Sequence, residues 1–151
     1  MGQLNLPASG VVYLDTAPII YSIEKHADYW VLMRPLWEAS QAGQIVIASS
    51  ELSLLETLVG PLKSGDHNLA ADYERLLTAT ELRLLPVTAS ILKDAARLRA
   101  QTNLKTPDAI HAATALASGS AQFITNDVAF KRVPNLPVVI LKEVASASTP
   151  S

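Results

Sequence analysis

Short apolar runs alternate with longer amphipathic stretches along most of the chain. The runs predict β-strands, because they are short and apolar, and the first of them, VVYLD, is also rich in β-branched residues. We expect five strands, at residues 11–15, 45–48, 81–86, 122–125 and 137–141. Strands that alternate with helices indicate a parallel sheet that is covered by helices on both faces.

The stretches between the strands predict helices. Thr16 is expected to cap the first helix, which continues through Ile23, and Thr88 is expected to cap a helix over residues 89–102. Pro35 should kink or split the second helix, because proline cannot donate a backbone hydrogen bond. The other predicted helices cover 28–41, Ser49-Ser50 to about Gly60-Pro61, 67–79 and Thr106-Pro107 to Gly119, with a loop over 63–68 and a short helical piece after Asp127.

This order of elements predicts a single α/β domain. We expect three layers, α/β/α, around a mostly parallel sheet of about five strands, since the sequence shows no internal repeat and no linker. The domain is predicted to span residues 11–143, after an N-terminal extension at 1–10. Residues 144–151 are mostly small and polar and are expected to form a flexible tail.

The composition excludes several classes of protein. The chain has 151 residues, of which 49% are apolar, and it contains no cysteine. Disulfide scaffolds, thiol nucleophiles and cysteine-ligated metal sites are therefore excluded. The first ten residues do not resemble a signal peptide, and no run reaches the roughly 18 apolar residues of a membrane span. We expect a soluble, cytoplasmic protein.

The charge balance limits how the protein could act on nucleic acid. Its net charge is −2, whereas proteins that bind nucleic acid by bulk electrostatics are usually basic. Any action on RNA would have to use a local site. Lysine and arginine side chains near the candidate acids could attract phosphates or could simply be solvated: Arg97, Arg99, Lys105, Lys131 and Arg132.

Three acidic residues lie where an α/β sheet usually binds its ligand or at the first turn of a helix, and a fourth lies within a helix. Asp15 and Asp127 end the first and fourth strands, Asp108 lies at a helix start, and Glu56 lies in the helix after the second strand. Ligands in open α/β sheets bind beyond the carboxyl ends of the strands. If the strands are parallel, at least three of these carboxylates share one edge of the sheet.

Each acid also has a structural explanation. Asp15 and Asp127 could cap the helices that follow them, and Asp108 could complement a helix dipole from the first turn. Glu56 could form a capping box with Ser53. Glu51 is an alternative to Glu56, although its position suits the first turn of the same helix better.

Together the four acids indicate a divalent cation. Carboxylates at close range repel one another unless a proton or a cation compensates their charge. Oxygen ligands without cysteine favour Mg²⁺ or Mn²⁺ over zinc. Such an ion polarises a phosphodiester and activates bound water.

Four segments resemble the signature segments of PIN-domain proteins, and most of all the VapC-like toxin ribonucleases of type II toxin–antitoxin systems. They are YLDTAPIIY at 13–21, SELSLLET at 50–57, TPDAIHAATAL at 106–116 and FITND at 123–127. The resemblance implies an endoribonuclease in which Asp15, Glu56, Asp108 and Asp127 are both the catalytic residues and the ligands of Mg²⁺ or Mn²⁺. Thr125 and Asn126 would orient carboxylates or water. The chain departs from many such proteins in its extension before the first strand.

The resemblance also implies partners, namely an RNA substrate, a cognate VapB-like antitoxin and a second copy of the chain. Aromatic residues concentrate in the first two helices, where they could form an interface or pack in the core: Tyr21, Tyr29, Trp30 and Trp37. His111, three residues after Asp108, fits a hydrogen-bonded structural histidine better than a metal ligand.

Two rival functions differ from a nuclease. An aspartyl phosphatase with Asp15 as nucleophile would need a second acid two residues later, where Ala17 stands. The other rival is a catalytically silent PIN-like module that only binds RNA or a protein partner. Cleavage of RNA in Mg²⁺ or Mn²⁺ separates this rival from a nuclease.

Overall fold

The computed structural model describes residues 2–147. The strands are β1 (Val11–Leu14), β2 (Val46–Ser50), β3 (Arg83–Leu85), β4 (Gln122–Thr125) and β5 (Val138–Ile140). The helices are α1 (Thr16–Ile23), α2 (Trp30–Gln41), α3 (Leu52–Ser64), α4 (His67–Thr78), α5 (Ala89–Thr102), α6 (Thr106–Ala117) and α7 (Leu141–Ser146), with a 3₁₀ turn at Val128–Arg132. Within the described range, no helix has the length and apolar character that a membrane crossing requires.

The five strands form one sheet in the order β3-β2-β1-β4-β5. Every neighbouring pair is parallel, and Tyr13 in the middle of β1 lies opposite Ala48 on one side and Phe123 on the other. The predicted mostly parallel sheet of about five strands is therefore confirmed.

Residues of β1 alternate between two hydrophobic cores, because successive side chains of a strand point to opposite faces. Val12 and Leu14 pack with residues of α1, α2 and α4 on one face. Tyr13 packs with Phe123 and with residues of α5 and α6 on the other face. The three-layer α/β/α arrangement predicted from the sequence is confirmed.

The sheet order places a crevice at the carboxyl ends of β1 and β4. The chain leaves β1 towards β2 and β3 on one side and returns to β4 and β5 on the other, which makes a topological switch point between β1 and β4. Asp15 follows β1 directly, and its backbone N–H donates to the carbonyl oxygen of Ile124 at 3.0 Å.

Two predicted boundaries around α3 are wrong. Ser49 and Ser50 belong to β2, where they pair with β3, and α3 starts only at Leu52, whose N–H donates to Ser50 Oγ at 3.0 Å. Helix α3 also continues through Pro61 and ends at Gly65, which has the positive φ of 74° that favours glycine. The predicted loop over 63–68 is correspondingly short.

Helix α2 runs continuously from Trp30 to Gln41 with Pro35 inside it. Of the two predicted outcomes the split is therefore wrong, and the kink stays a prediction. The side chains on both sides of the proline that face the core, Met33 and Leu36, are fully buried. This packing holds the helix together although Pro35 lacks a backbone donor.

Both ends of the described chain pack on the domain. Helix α7 continues to Ser146, into the segment expected to be a flexible tail, because Val144 and Ala145 pack against the first core. The last residues of the predicted tail, 148–151, lie outside the described residues. In the N-terminal extension, Leu4 and Leu6 pack against the same core.

The extension is also bound by hydrogen bonds at the amino ends of the strands. Gln44, just before β2, donates to the carbonyl oxygen of Pro7 at 3.0 Å, and Gln122 at the start of β4 donates to that of Asn5. The extension therefore lies at the edge of the sheet opposite Asp15.

Candidate active site

Asp15 is fixed at the start of α1 by both of its carboxylate oxygens. Oδ1 accepts the N–H of Thr16 at 2.8 Å, which makes Asp15 the cap of the helix, and Oδ2 accepts the hydroxyl of Thr125 at 2.7 Å. Only 9% of the residue is exposed. Burial raises the pKa of this carboxyl above its ordinary value, although His111 and the hydrogen bond from Thr125 act to lower it.

Glu56 reaches the same crevice from α3. Its Oε1 accepts hydrogen bonds from Thr16 Oγ1 at 2.9 Å and from His111 Nε2 at 2.7 Å. Partial burial acts to raise the pKa of Glu56, but the hydrogen bonds and charge of His111, together with Thr16, lower it below its ordinary value.

Glu51, the alternative to Glu56, has a different role. It stands at the start of α3, and its Oε1 accepts the N–H of Val87 at 3.0 Å, in the loop that leads to α5. Glu51 therefore connects two loops and does not contact the other acids through this bond.

Asp108 lies in the first turn of α6 and is strongly affected by the other acids. Its pKa is raised to about 6, first by burial and then by the negative charges of Asp15 and Asp127, with a smaller contribution from Glu56. The charges of Asp15, Asp127 and Glu56 thus act on the pKa of Asp108, while that of His111 lowers it, and we call these four acids the acidic cluster.

Asp127 follows β4 and caps the 3₁₀ turn. Its Oδ1 accepts the N–H of Ala129 at 2.9 Å, and its own N–H donates to Thr125 Oγ1 at 3.1 Å. Asp127 thus has the capping role considered from the sequence, as Asp15 has. It also acts on Asp108 through its charge.

The cluster fits a hard divalent cation in its chemistry, because all four groups offer oxygen and carry negative charge that needs compensation. As the side chains stand, however, no group of three histidine, aspartate or glutamate residues within 2–147 is placed to hold an ion.

A family model of the PIN domain matches residues 12–136 of this chain. The chain belongs to the PIN-domain family. The four acids of the cluster all lie within the matched residues, and the N-terminal extension lies before them.

Solved structures with the same fold include toxin–antitoxin proteins. "VapBC2 from Rickettsia felis bound to a DNA fragment from their promoter" is 24% identical, with a TM-score of 0.69 over 86% of this chain and 98% of that one. A toxin–antitoxin complex from Klebsiella pneumoniae is 24% identical, with a TM-score of 0.65 over 86% and 97%. VapC20 from Mycobacterium tuberculosis, described as a sarcin-ricin loop cleaving toxin, is 19% identical, with a TM-score of 0.67 over 80% and 92%.

At these identities the likeness shows that the PIN domain shares its fold with VapC toxins. No curated protein sequence matches the chain significantly.

Two residues of this PIN domain have contacts that the sequence did not predict. Thr16, expected to cap α1, instead donates its hydroxyl to Glu56. His111 bonds to Glu56 and lies 3.7 Å from Asp15 Oδ1, so that the expected hydrogen-bonded histidine is part of the site. A histidine in a buried helix needs hydrogen-bond partners, and this need was the available signal.

The two residues expected to orient the site differ in their contacts. Thr125 orients Asp15, as expected. Asn126 has other protein partners, since its side chain donates to Tyr21 Oη at 3.3 Å and accepts from the N–H of Lys142 at 2.8 Å, and its orientation of a water stays a prediction. Asn126 thereby connects α1 to α7 and contacts none of the four acids through these bonds.

Proposed function

We propose that this PIN-domain protein is an endoribonuclease that depends on Mg²⁺ or Mn²⁺, and that it is the toxin of a toxin–antitoxin pair. The observation that carries the proposal is the contact of His111 with two acids of the acidic cluster beyond the carboxyl end of β1, at 2.7 Å from Glu56 Oε1 and 3.7 Å from Asp15 Oδ1, and the raised pKa of Asp108 supports it. A sheet edge that concentrates negative charge at a topological switch point is costly for a fold, and a divalent ion offsets that cost. The description of VapC20 as a sarcin-ricin loop cleaving toxin supports RNA as the substrate class.

The ligands of the ion would be Asp15, Glu56, Asp108 and Asp127. When bound, the ion supplies Lewis-acid chemistry, polarising the phosphodiester and making water more acidic. The protein's own contribution is orientation: Thr125 and the N–H of Thr16 fix Asp15, whereas the Thr16 hydroxyl and His111 fix Glu56. Pre-oriented carboxylates reduce the reorganisation needed when substrate binds.

RNA would be bound by local contacts, since the net charge of the chain is −2. Four of the five basic side chains near the acids already have partners: Lys131 with Glu143, Arg97 with Asp94, Arg99 with the carbonyl oxygen of Leu104 and Arg132 with that of Thr102. Lys105 immediately precedes α6 and is exposed. It is the best-placed side chain to contact a phosphate close to Asp108.

An antitoxin of the VapB type and a second copy of the chain are proposed as protein partners. Helix α3 exposes three apolar side chains on one face, Leu55 at 66%, Val59 at 47% and Leu62 at 60%. Contiguous exposed apolar surface is typical of interaction sites. The R. felis and K. pneumoniae structures contain such toxin–antitoxin complexes, which supports a partner of this kind.

The aromatic residues of the first two helices are partly engaged within the domain. Trp37 Nε1 donates to Ser22 Oγ at 2.8 Å, and the rings of Tyr21 and Tyr29 pack 4.8 Å apart. The α3 face is therefore the better candidate for a partner surface.

Cleavage of a labelled RNA mixture in Mg²⁺ and in Mn²⁺ tests the proposed activity. The wild-type protein, freed of any inhibitor, should cut RNA, and Asp15→Asn and Asp108→Asn should each lose at least about 100-fold in rate. Glu51→Gln is the control, because the side chain of Glu51 bonds to the loop before α5, and it should retain the activity of the wild type.

The second candidate is a catalytically silent module that binds RNA or protein. It is favoured by the finding that, within residues 2–147, the acids do not stand ready to hold an ion. Wild-type protein that binds RNA but leaves it intact in both metals would establish this candidate.

A further inference from the structure

We propose that Tyr13 and His111 form a hydrogen-bonded pair that positions the carboxylate of Glu56 for a divalent cation. The inference rests on the proposed metal-dependent function and assigns two positioning residues to the same site. It adds a tyrosine from β1 and a histidine from α6 to the four acids.

Two hydrogen bonds connect the sheet to Glu56 through the pair. Tyr13 Oη lies 2.7 Å from His111 Nδ1, and His111 Nε2 lies 2.7 Å from Glu56 Oε1. Both distances are those of strong hydrogen bonds. Three separate elements, β1, α6 and α3, are thereby connected through side chains.

Burial gives the pair little freedom to move. Tyr13 is fully buried and His111 is 1% exposed. The ring of Tyr13 stacks on Phe123 at 5.2 Å with an interplanar angle of 7°, and it meets His111 edge-on. A rigid imidazole of this kind transmits its orientation to the carboxylate that it binds.

The bonds require a specific distribution of protons. We assign a proton to Nε2, since this nitrogen faces the carboxylate of Glu56. In the neutral imidazole Nδ1 is then an acceptor, and the hydroxyl of Tyr13 is its donor. In the neutral imidazole Tyr13 thus selects the tautomer that donates to Glu56; in the imidazolium, whose charge lowers the pKa of Glu56, Nε2 donates likewise and Tyr13 Oη accepts from Nδ1.

The pair binds only one side of the carboxylate. Both donors to Glu56, His111 and Thr16, bond to Oε1. Among the bonds of the described residues, none is made to Oε2, which is therefore available to a cation.

The first test is the tautomer of His111 in metal-free protein, measured by long-range ¹H–¹⁵N NMR correlation. The chain has three histidines, and the signals that are missing in His111→Gln are those of His111. We expect a protonated Nε2 and an acceptor Nδ1, and we expect the Nδ1 signal to shift in Tyr13→Phe. A protonated Nδ1 with a bare Nε2 would overturn the proposal whether or not the protein is a nuclease.

The second test is the affinity for Mn²⁺, measured by the electron paramagnetic resonance of the free ion. Tyr13→Phe and His111→Ala should weaken binding about 10-fold or more, the usual effect of losing a group that orients a metal ligand. His111→Gln, whose amide can donate to Glu56, should recover most of the affinity.

Tyr73→Phe is the matched control, because it also removes the hydroxyl of a buried tyrosine. The hydroxyl of Tyr73 donates to Glu24, which is not one of the four acids. This substitution should lower stability and leave Mn²⁺ affinity unchanged. If Tyr13→Phe behaves like Tyr73→Phe in both respects, the pair is only structural and the inference is wrong. If Tyr13→Phe and His111→Ala weaken the binding of Mn²⁺ but the wild type cleaves no RNA, the proposed function fails while the inference about the pair stands.

Discussion

Replacing Asp108 by asparagine should make the protein more stable, although it should abolish activity. Two effects of opposite sign compete at this position. As an acid in the first turn of α6, Asp108 contributes about 0.3–1 kcal/mol of stability through the helix dipole. As a member of the acidic cluster, it opposes folding whenever it is ionised.

The pKa gives the size of the second effect. Folding raises the pKa of Asp108 from 3.8 to about 6. This shift corresponds to about 3 kcal/mol at neutral pH, and screening of a half-exposed group reduces it to about 1–2 kcal/mol. The net gain in Asp108→Asn is therefore about 1 kcal/mol, or roughly 3 °C in Tm for a domain of this size.

The gain should depend on pH in a defined direction. Between its unfolded and folded pKa values, from 3.8 to about 6, Asp108 binds more protons in the folded state than in the unfolded state. The wild type therefore loses stability as the pH rises through this window, and the loss is complete above it. Asp108→Asn should match the wild type near pH 3.5 and exceed it at pH 7.5.

Urea unfolding followed by circular dichroism, in EDTA at both pH values, measures the difference. Glu143→Gln is the control, since Glu143 is also an acid in a first turn but is paired with Lys131. This control should lose a few tenths of a kcal/mol at pH 7.5. If Asp108→Asn is destabilised to the same extent, Asp108 is only a helix-dipole residue and the electrostatic cluster does not exist.

Two further substitutions test the site and the partner surface. Thr125→Val keeps the shape of the side chain but removes both the donor to Asp15 and the acceptor for the N–H of Asp127. It should destabilise the fold by about 1–3 kcal/mol in urea unfolding and slow RNA cleavage about 10–100-fold; unchanged cleavage would show that neither acid needs this support. Leu62→Glu on the exposed face of α3 should change stability by less than about 0.5 kcal/mol and leave RNA cleavage intact, while it removes self-association or antitoxin binding in size-exclusion chromatography; intact complexes would place the partner surface elsewhere.

The elements that the sequence predicted well are those determined by local signals. Helix α5 begins and ends at the predicted residues, 89 and 102, because Thr88 accepts the N–H of Ile91 as its cap. The predicted start of α3 is wrong, because Ser49 and Ser50 are good capping residues locally but pair with β3 and so belong to the sheet. A long-range contact of this kind has no local signal.

The same distinction applies to the site. Asp15 and Asp127 could be placed at one edge from the sequence, because a parallel sheet brings the ends of its strands together there, whereas the positions of Glu56 and Asp108 depend on how helices α3 and α6 pack. The contacts of Thr16 and His111 could not be predicted either, since their partners are distant in sequence and nothing local determines the direction of a side chain. His111 lies among buried alanines in α6, so its burial was predictable but its bond to Glu56 was not.

The most direct test of the whole account is a crystal of the protein soaked in Mn²⁺ and measured for anomalous scattering. We expect a manganese peak bound by carboxylate oxygens of Asp15 and Asp108, with Glu56 and Asp127 beside it and His111 still bonded to Glu56. Manganese peaks at other sites, with none at these four carboxylates and with their oxygens bonded only to protein donors, would contradict the account.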